Sequence, residues 1–264
     1  MPRTRPSRSA RGRTPLTSRL ANERLEPRVA PVSWGPTAAE QVLLERINDH
    51  RIENRLVPLA FDARMQQVLL TAKDQSIKGL KSALSKARVP WEPKDSITTV
   101  AWSWRGGGDA ELAAEQIADG HDLTRPLGNA KYDRHRMVGF LLLGDSDPRN
   151  PDSVPDRILV ADVTASIKGR QPIVTGVVYK DLDQDAKYDA GEGLRGMSIS
   201  VTAKGIRSSV AAWETGGFSV PVKAKKAVAV NVTVSGPDLA APLVRSVQVR
   251  PGMNARVNFV VPNG

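Results

Sequence analysis

Val228-Ala229-Val230-Asn231-Val232-Thr233-Val234 alternates a branched apolar residue with a small or polar one. Successive side chains of a strand leave opposite faces of the sheet, so this period of two sets four valines on one face. Ala229, Asn231 and Thr233 fall on the other. In a helix the same valines would be divided between two opposite sides. The run is therefore a strand. Met197, Ile199 and Val201 repeat the pattern upstream, and Val257, Phe259 and Val261 repeat it downstream. Gly, Pro and Asn separate such runs, which predicts a β-sandwich over residues 171–264 with one buried face per sheet.

The same region contains Asp181-Leu182-Asp183-Gln184-Asp185-Ala186-Lys187-Tyr188-Asp189-Ala190-Gly191-Glu192. Its carboxylates stand at loop positions 1, 3, 5, 9 and 12. Calcium takes about six to eight oxygen ligands, and alternate residues of a tight loop can converge on one centre. Asp181, Asp183, Asp185, Asp189 and Glu192 are the predicted side-chain ligands of one Ca2+, with Lys187 giving its backbone carbonyl. Without a cation, four aspartates and a glutamate this close would repel one another. Ala186 departs from the pattern, which has glycine at the sixth position for a sharp turn.

Upstream the period lengthens. Ala39, Val42, Leu43 and Ile47 recur at helical spacing behind Thr37, a good N-cap. Asp62 can cap a second helix, in which Met65, Val68, Leu69, Ala72, Leu80 and Leu84 share a face, closed by Pro90 and Pro93. Gly106-Gly107-Gly108 is a loop, and Asp109 caps a third helix that runs through Ile117 to Gly120. Two apolar runs, residues 137–143 and 158–163, then predict paired buried strands. The fold class expected is α+β in two domains, at 37–168 and 171–264, behind a leader of residues 1–36.

The leader carries most of the charge. Residues 1–30 hold eight arginines against Glu23 and Glu26, which leaves them six of the chain's ten net positive charges. Arg, Ser, Thr and Pro bury too little apolar surface to offset ordering entropy, so a disordered tail is expected. Nucleic acid is not an expected partner except through this tail, because basic and aromatic residues do not interleave elsewhere. With no cysteine in the chain, a disulfide framework, a thiolate metal site and a cysteine nucleophile are excluded. No apolar run approaches the roughly 18 to 20 residues that a membrane-spanning helix needs.

Three resemblances extend this reading. Arg24-Leu25-Glu26-Pro27-Arg28-Val29 resembles the Leu-Glu-Pro-Arg motif of many exported and surface bacterial proteins, which implies an extracellular or cell-surface location. The stretch from Thr175-Gly176-Val177-Val178-Tyr179-Lys180-Asp181 to Gly191-Glu192-Gly193-Leu194-Arg195-Gly196-Met197 resembles the B-type repeats of bacterial surface adhesins. Those are Cna-B-like, prealbumin-like sandwiches with a calcium loop after the first strand, and Trp213-Glu214-Thr215-Gly216-Gly217-Phe218-Ser219-Val220 fits the turn and strand that follow. Leu44-Glu45-Arg46-Ile47-Asn48-Asp49-His50-Arg51 and Leu56-Val57-Pro58-Leu59-Ala60-Phe61-Asp62 resemble the CAP superfamily of cysteine-rich secretory and pathogenesis-related proteins, an α-β-α sandwich. Asp119-Gly120-His121 and Leu127-Gly128-Asn129 look like that family's Pro-Gly-His and Leu-Asn-Pro region.

The family's cleft holds two histidines and two acids. Only His121 matches one of them: Ile77-Lys78 stands where Ser-His is usual, and Thr98 stands where the acid is. One imidazole without partners is a poor divalent site, so the resemblance implies a degenerate, non-catalytic cleft. His50 is expected on a partly solvated helix face and His135 in a loop. Trp102 and Trp104 alternate beside Arg105, an arrangement that could stack on a sugar or peptide, although filling the core is the commoner use. The expected protein is a secreted or surface-displayed binding protein, adhesin-like, whose partner is an extracellular protein, glycan or envelope component. The alternative is a secreted hydrolase with a CAP-type cleft around His121.

Overall fold

In the computed structural model, residues 35–71, 77–86, 97–103, 136–143, 157–163 and 171–262 are described. The leader to residue 34, the helix expected after Asp109, Trp91, Trp104, His121 and His135 lie outside them. The fold is α+β, mostly sheet with three helices among the described residues. None of these helices is long and apolar enough to cross a membrane.

The first helix, α1 (Ala38–Glu53), starts at Thr37 as its sequence requires. Thr37 accepts from the Glu40 N–H at 3.3 Å, and Glu40 Oε2 accepts from the Thr37 N–H at 2.8 Å, a complete capping box. Strand β1 (Ala60–Phe61) and helix α2 (Ala63–Thr71) follow, with Asp62 Oδ1 accepting from the Arg64 N–H at 2.8 Å. Helix α3 (Ile77–Lys86) is a separate element, so the single helix expected from Asp62 to Pro90 is two. Residues 72–76, between them, lie outside the described residues.

Strands β2 (Ile97–Ser103), β3 (Met137–Leu143) and β4 (Arg157–Val163) complete a first sheet in the order β1-β3-β4-β2. The two apolar runs pair as expected, antiparallel with Phe140 opposite Val160. Helix α2 lies so close on β3 that a side chain at Gly139 would sit 2.7 Å from the Gln66 nitrogen.

The sandwich begins at β5 (Ile173–Tyr179), followed by β6 (Ser198–Ala203), β7 (Ile206–Ala211), β8 (Gly217–Pro221), β9 (Val228–Ser235) and β10 (Leu243–Val249). Two short segments, β11 (Ala255–Arg256) and β12 (Phe259–Val260), end it. One sheet is antiparallel in the order β10-β9-β6-β7. In the other, β8 pairs antiparallel on one side of β5, while β11 and β12 run parallel to it. The alternating valines behave as the pattern dictates: Val230, Val232 and Val234 are buried with Met197, Ile199, Val201, Phe218 and Phe259 in the inter-sheet core.

One strand departs from the expectation of a single buried face. All seven residues of β5 are buried. Val174 and Val178 face the inter-sheet core, while Val177 and Tyr179 belong to a second cluster with Val42, Leu43, Leu44 and Ile47 of α1 and Phe61, Val138 and Phe140 of the first sheet. Helix α1 thus covers the outer face of the sandwich. The domain boundary drawn at 168–171 marks a change of periodicity in the chain, yet the residues on its two sides share a core, and 34–264 forms one compact unit.

Because α1 is covered on several sides, its polar residues are buried too: Glu40, Gln41, Glu45, Asn48 and Arg51. Each has partners, as burial demands. Asn48 exchanges two bonds with the Leu59 backbone, at 2.7 and 3.0 Å. Arg51 Nε donates to the Val57 carbonyl at 2.7 Å. Glu40 Oε1 accepts from Gln66 Nε2 at 2.8 Å, and Gln66 Oε1 accepts from the Phe140 N–H at 2.7 Å, which ties α1, α2 and β3 together. Glu45 Oε2 is gripped by Arg256 through Nε, at 3.0 Å, and Nη2, and by Asn258 Nδ2 at 3.0 Å. Arg256 Nη1 reaches Asp49, one turn along the helix.

A second seam lies at Arg136 and Asn254. Arg136 Nη2 donates to the Gln171 carbonyl at 2.8 Å and to Asn254 Oδ1 at 2.9 Å, and Asn254 Nδ2 donates to the Pro58 carbonyl at 3.0 Å. Burial pulls the Arg136 guanidinium down to about 10, still charged at neutral pH.

Removing one partner of a buried ion pair strands the other charge, at a typical cost of about 3–5 kcal/mol. We expect Arg256→Met to destabilise the protein by about that much in urea unfolding. The double variant Glu45→Met, Arg256→Met should recover part of the loss; a double variant no better than the single would show that the charge is not what matters. Burial also raises the carboxyl of Glu40, against hydrogen bonds from Thr37 and Gln66 that lower it. A carboxyl raised on folding contributes stability that is complete below its unfolded value near 4.5 and is lost as pH rises through the folded value. Glu40→Gln should therefore flatten the decline in melting temperature over that interval; an unchanged slope would assign it to other groups.

Candidate metal centre

The acidic loop leaves β5 at Lys180 and is closed at its neck. The Lys180 N–H donates to the Glu192 carbonyl at 3.0 Å, and the Glu192 N–H donates to the Asp189 carbonyl at 3.2 Å. Inside the neck the aspartates fold the chain back on itself by accepting from backbone N–H groups a few residues ahead, as Asx turns do. Asp181 Oδ2 accepts from Ala186 at 3.0 Å, Asp183 Oδ1 from Asp185 at 3.2 Å and Asp185 Oδ1 from Lys187 at 2.7 Å. Glu192 reaches back across the loop, its Oε1 accepting from the Leu182 N–H at 2.6 Å and its Oε2 from the Asp189 N–H at 2.9 Å.

These bonds bring the carboxylates together in two overlapping groups. Asp181, Asp183 and Asp185 have oxygens within 4.8 Å of one another, and so do Asp183, Asp189 and Glu192. Oxygens bound to one ion at about 2.4 Å can be no more than about 4.8 Å apart, so each group meets the span that a single cation requires. Asp183 belongs to both. An all-oxygen, anionic donor set suits a hard divalent cation, and a thiolate- or imidazole-loving metal has nothing to bind here. Lys187, expected to give a carbonyl, is exposed and donates its N–H to Asp185.

The departure at the sixth position resolves in the backbone. Ala186 has φ +65°, and Gln184 has φ +67°. The chain thus makes the left-handed turn for which glycine is preferred, with a side chain in place.

Burial raises the Glu192 carboxyl above its ordinary value, and the charges of Asp189 and Asp181 push the same way. The two N–H donors, from Leu182 and Asp189, act against this. A cation held by the cluster would remove the repulsion that the neighbouring carboxylates exert. Tyr179, immediately before the loop, donates its hydroxyl to the Ala186 carbonyl at 3.3 Å and packs edge-on against Tyr188, with ring centroids 5.7 Å apart. Burial first, then the charges of Asp181, Glu192 and Glu45, push its hydroxyl up to about 12, so it remains a donor.

One participant was invisible in the loop's own pattern. Arg46 of α1 pairs through Nη2 with Asp189 Oδ1 at 2.8 Å, and its side chain is only 10% exposed. The two residues are 143 positions apart, so no spacing rule connects them. The loop is therefore held from the helix as well as from β5.

His50 sits on the partly exposed face of α1, with Nδ1 3.9 Å from Glu53 and Nε2 3.0 Å from the Asn54 amide. His121, the weak catalytic candidate, lies outside the described residues. Neither family models nor curated proteins give a match to the chain. The chemistry of the loop thus stands on its geometry.

A left-handed residue with a side chain costs roughly 1–2 kcal/mol, and glycine gives back about 0.4–1 kcal/mol of that through its looser unfolded chain. Ala186→Gly should stabilise the metal-free protein by up to about 1 kcal/mol in urea unfolding with chelator. Destabilisation of that size would mean that the loop turns elsewhere.

Proposed function

We propose that this is a secreted or cell-surface binding protein, adhesin-like, whose sandwich is stiffened by one Ca2+ in residues 181–192. The observation that carries the proposal is the pair of carboxylate groups sharing Asp183, each within the span of one ion. Asp181, Asp183, Asp185, Asp189 and Glu192 hold the ion, with the Lys187 carbonyl beside them. Calcium suits an irregular, many-oxygen loop better than magnesium, which demands near-octahedral geometry and keeps its waters.

The ion's work is mechanical. It draws together carboxylates that otherwise repel, at the point where β5 ends and where Arg46 ties the loop to α1. Occupancy therefore stiffens the sandwich and the contact that α1 makes with it, and so fixes how the helical part is presented to a partner. The likeness of residues 171–264 to adhesin B-type repeats, and of the α1-to-α2 stretch to CAP proteins with a degenerate cleft, supports a role in binding. The partner is an extracellular protein, a glycan or an envelope component.

An ion that binds only the folded state stabilises it by about 2.7 kcal/mol at a hundredfold excess over Kd. For a unit of this size that raises the melting temperature by roughly 5–10 °C. We expect this rise with calcium, its reversal by chelator and its absence in Asp181→Ala, Glu192→Ala. Calcium plays no such part if the melting curve of the intact protein does not move. Mass spectrometry of the mature protein from culture, by fraction, checks export.

A further inference from the structure

Beside the acidic loop lies a cavity of about 380 Å³. Segments far apart in sequence wall it: Asp49 of α1, Tyr179 and Lys187 at the loop, Arg245 and Ser246 of β10, and Arg256. Its size falls within the range of small-ligand sites, about 300–1,000 Å³.

The charges in this cavity are unequally engaged. Arg256 is paired with Glu45 and Asp49. Lys187 and Arg245 make no ion pair among the described residues, although both face the same space. Arg245 is also held in position, its guanidinium carbon 5.6 Å from the centre of the Phe259 ring. Asp49 lines the same cavity with its side chain 46% exposed, so it can still accept a hydrogen bond from a ligand. Two cations without ion pairs and one exposed acceptor, all lining one small cavity, match an organic acid whose carboxylate is flanked by hydroxyl or ammonium groups.

We propose that this cavity binds such an acid, its carboxylate on Lys187 and Arg245 and its hydroxyl or ammonium on Asp49, and that the ion in the neighbouring loop strengthens the binding. The second half rests on the calcium function above. It follows because residues 186–188 form part of the wall, and because the carboxylates of an ion-free loop repel an incoming anion. A divalent cation cancels two of those charges and fixes the segment that carries Lys187.

Calorimetry on the full-length protein tests both halves. D-glucuronate, an acid flanked by hydroxyls, and L-glutamate, flanked by ammonium, are titrated in excess calcium and again in chelator, with acetate as the control. We expect one of the two acids to bind at least tenfold more tightly than acetate, and the preferred acid tells a sugar source from an amino-acid source. Lys187→Gln, Arg245→Gln, with folding checked by circular dichroism, should weaken it at least tenfold. The proposal is overturned if neither acid exceeds acetate, or if the folded double variant binds as tightly as the parent. Terbium luminescence sensitised by Tyr179 and Tyr188 reports ion binding separately. Terbium uptake with equal acid affinity in calcium and chelator would overturn the coupling and leave the calcium site intact. Acid binding without terbium uptake would support the cavity and remove the calcium function.

Discussion

Glu45 and Arg256 meet where an α-helix covers the outer face of a β-sandwich, and the rest of the architecture depends on their pairing. Each side chain is less than a tenth exposed. A carboxylate or a guanidinium taken alone into that interface would cost several kcal/mol in lost hydration. Together, with Asp49, Asn258 and Gln41 completing the hydrogen bonds, they can be buried, and so α1 can lie against β5. Val177 and Tyr179 are then covered, and the helical and sandwich segments share one core.

The sandwich was legible because its signal is local. Valine at every second position of β9 admits one periodicity, and the strand follows it. The clustering of the loop's carboxylates was legible for the same reason, since acids two residues apart in a tight loop are recognisable without knowledge of the fold. The layer above the sandwich could not be foreseen in this way. Glu40, Gln41, Glu45, Asn48 and Arg51 look like the solvated side of an amphipathic helix, and only their distant partners make burial tolerable. Those partners, Gln66, Leu59, Val57 and Arg256, follow no common spacing. Strand β5 did carry a trace of its second contact: Val177-Val178-Tyr179 is apolar without alternation, as a strand covered on both faces should be.

Loop and interface are physically continuous. Tyr179 ends β5, packs under α1, reaches the loop through the Ala186 carbonyl and lines the cavity beside it. Arg46 and Glu45 are adjacent in the helix, one turned to Asp189 of the loop and the other to Arg256 of the sandwich. A change in loop charge is thus felt by a residue whose neighbour anchors the helix. Electrostatics at the loop and packing at the interface are two ends of one short connection.

The Glu45–Arg256 contact spans 211 residues of chain, and this has a consequence for biosynthesis. The ribosome releases the helix long before it makes the arginine that neutralises it. At about 5–20 residues per second, Glu45 waits on the order of ten seconds or more for its counter-charge. For more than half of that interval the apolar residues of α1 also lack β5, the strand that later covers them. The N-terminal segment of this protein therefore depends on whatever shields nascent chains until the last strands arrive.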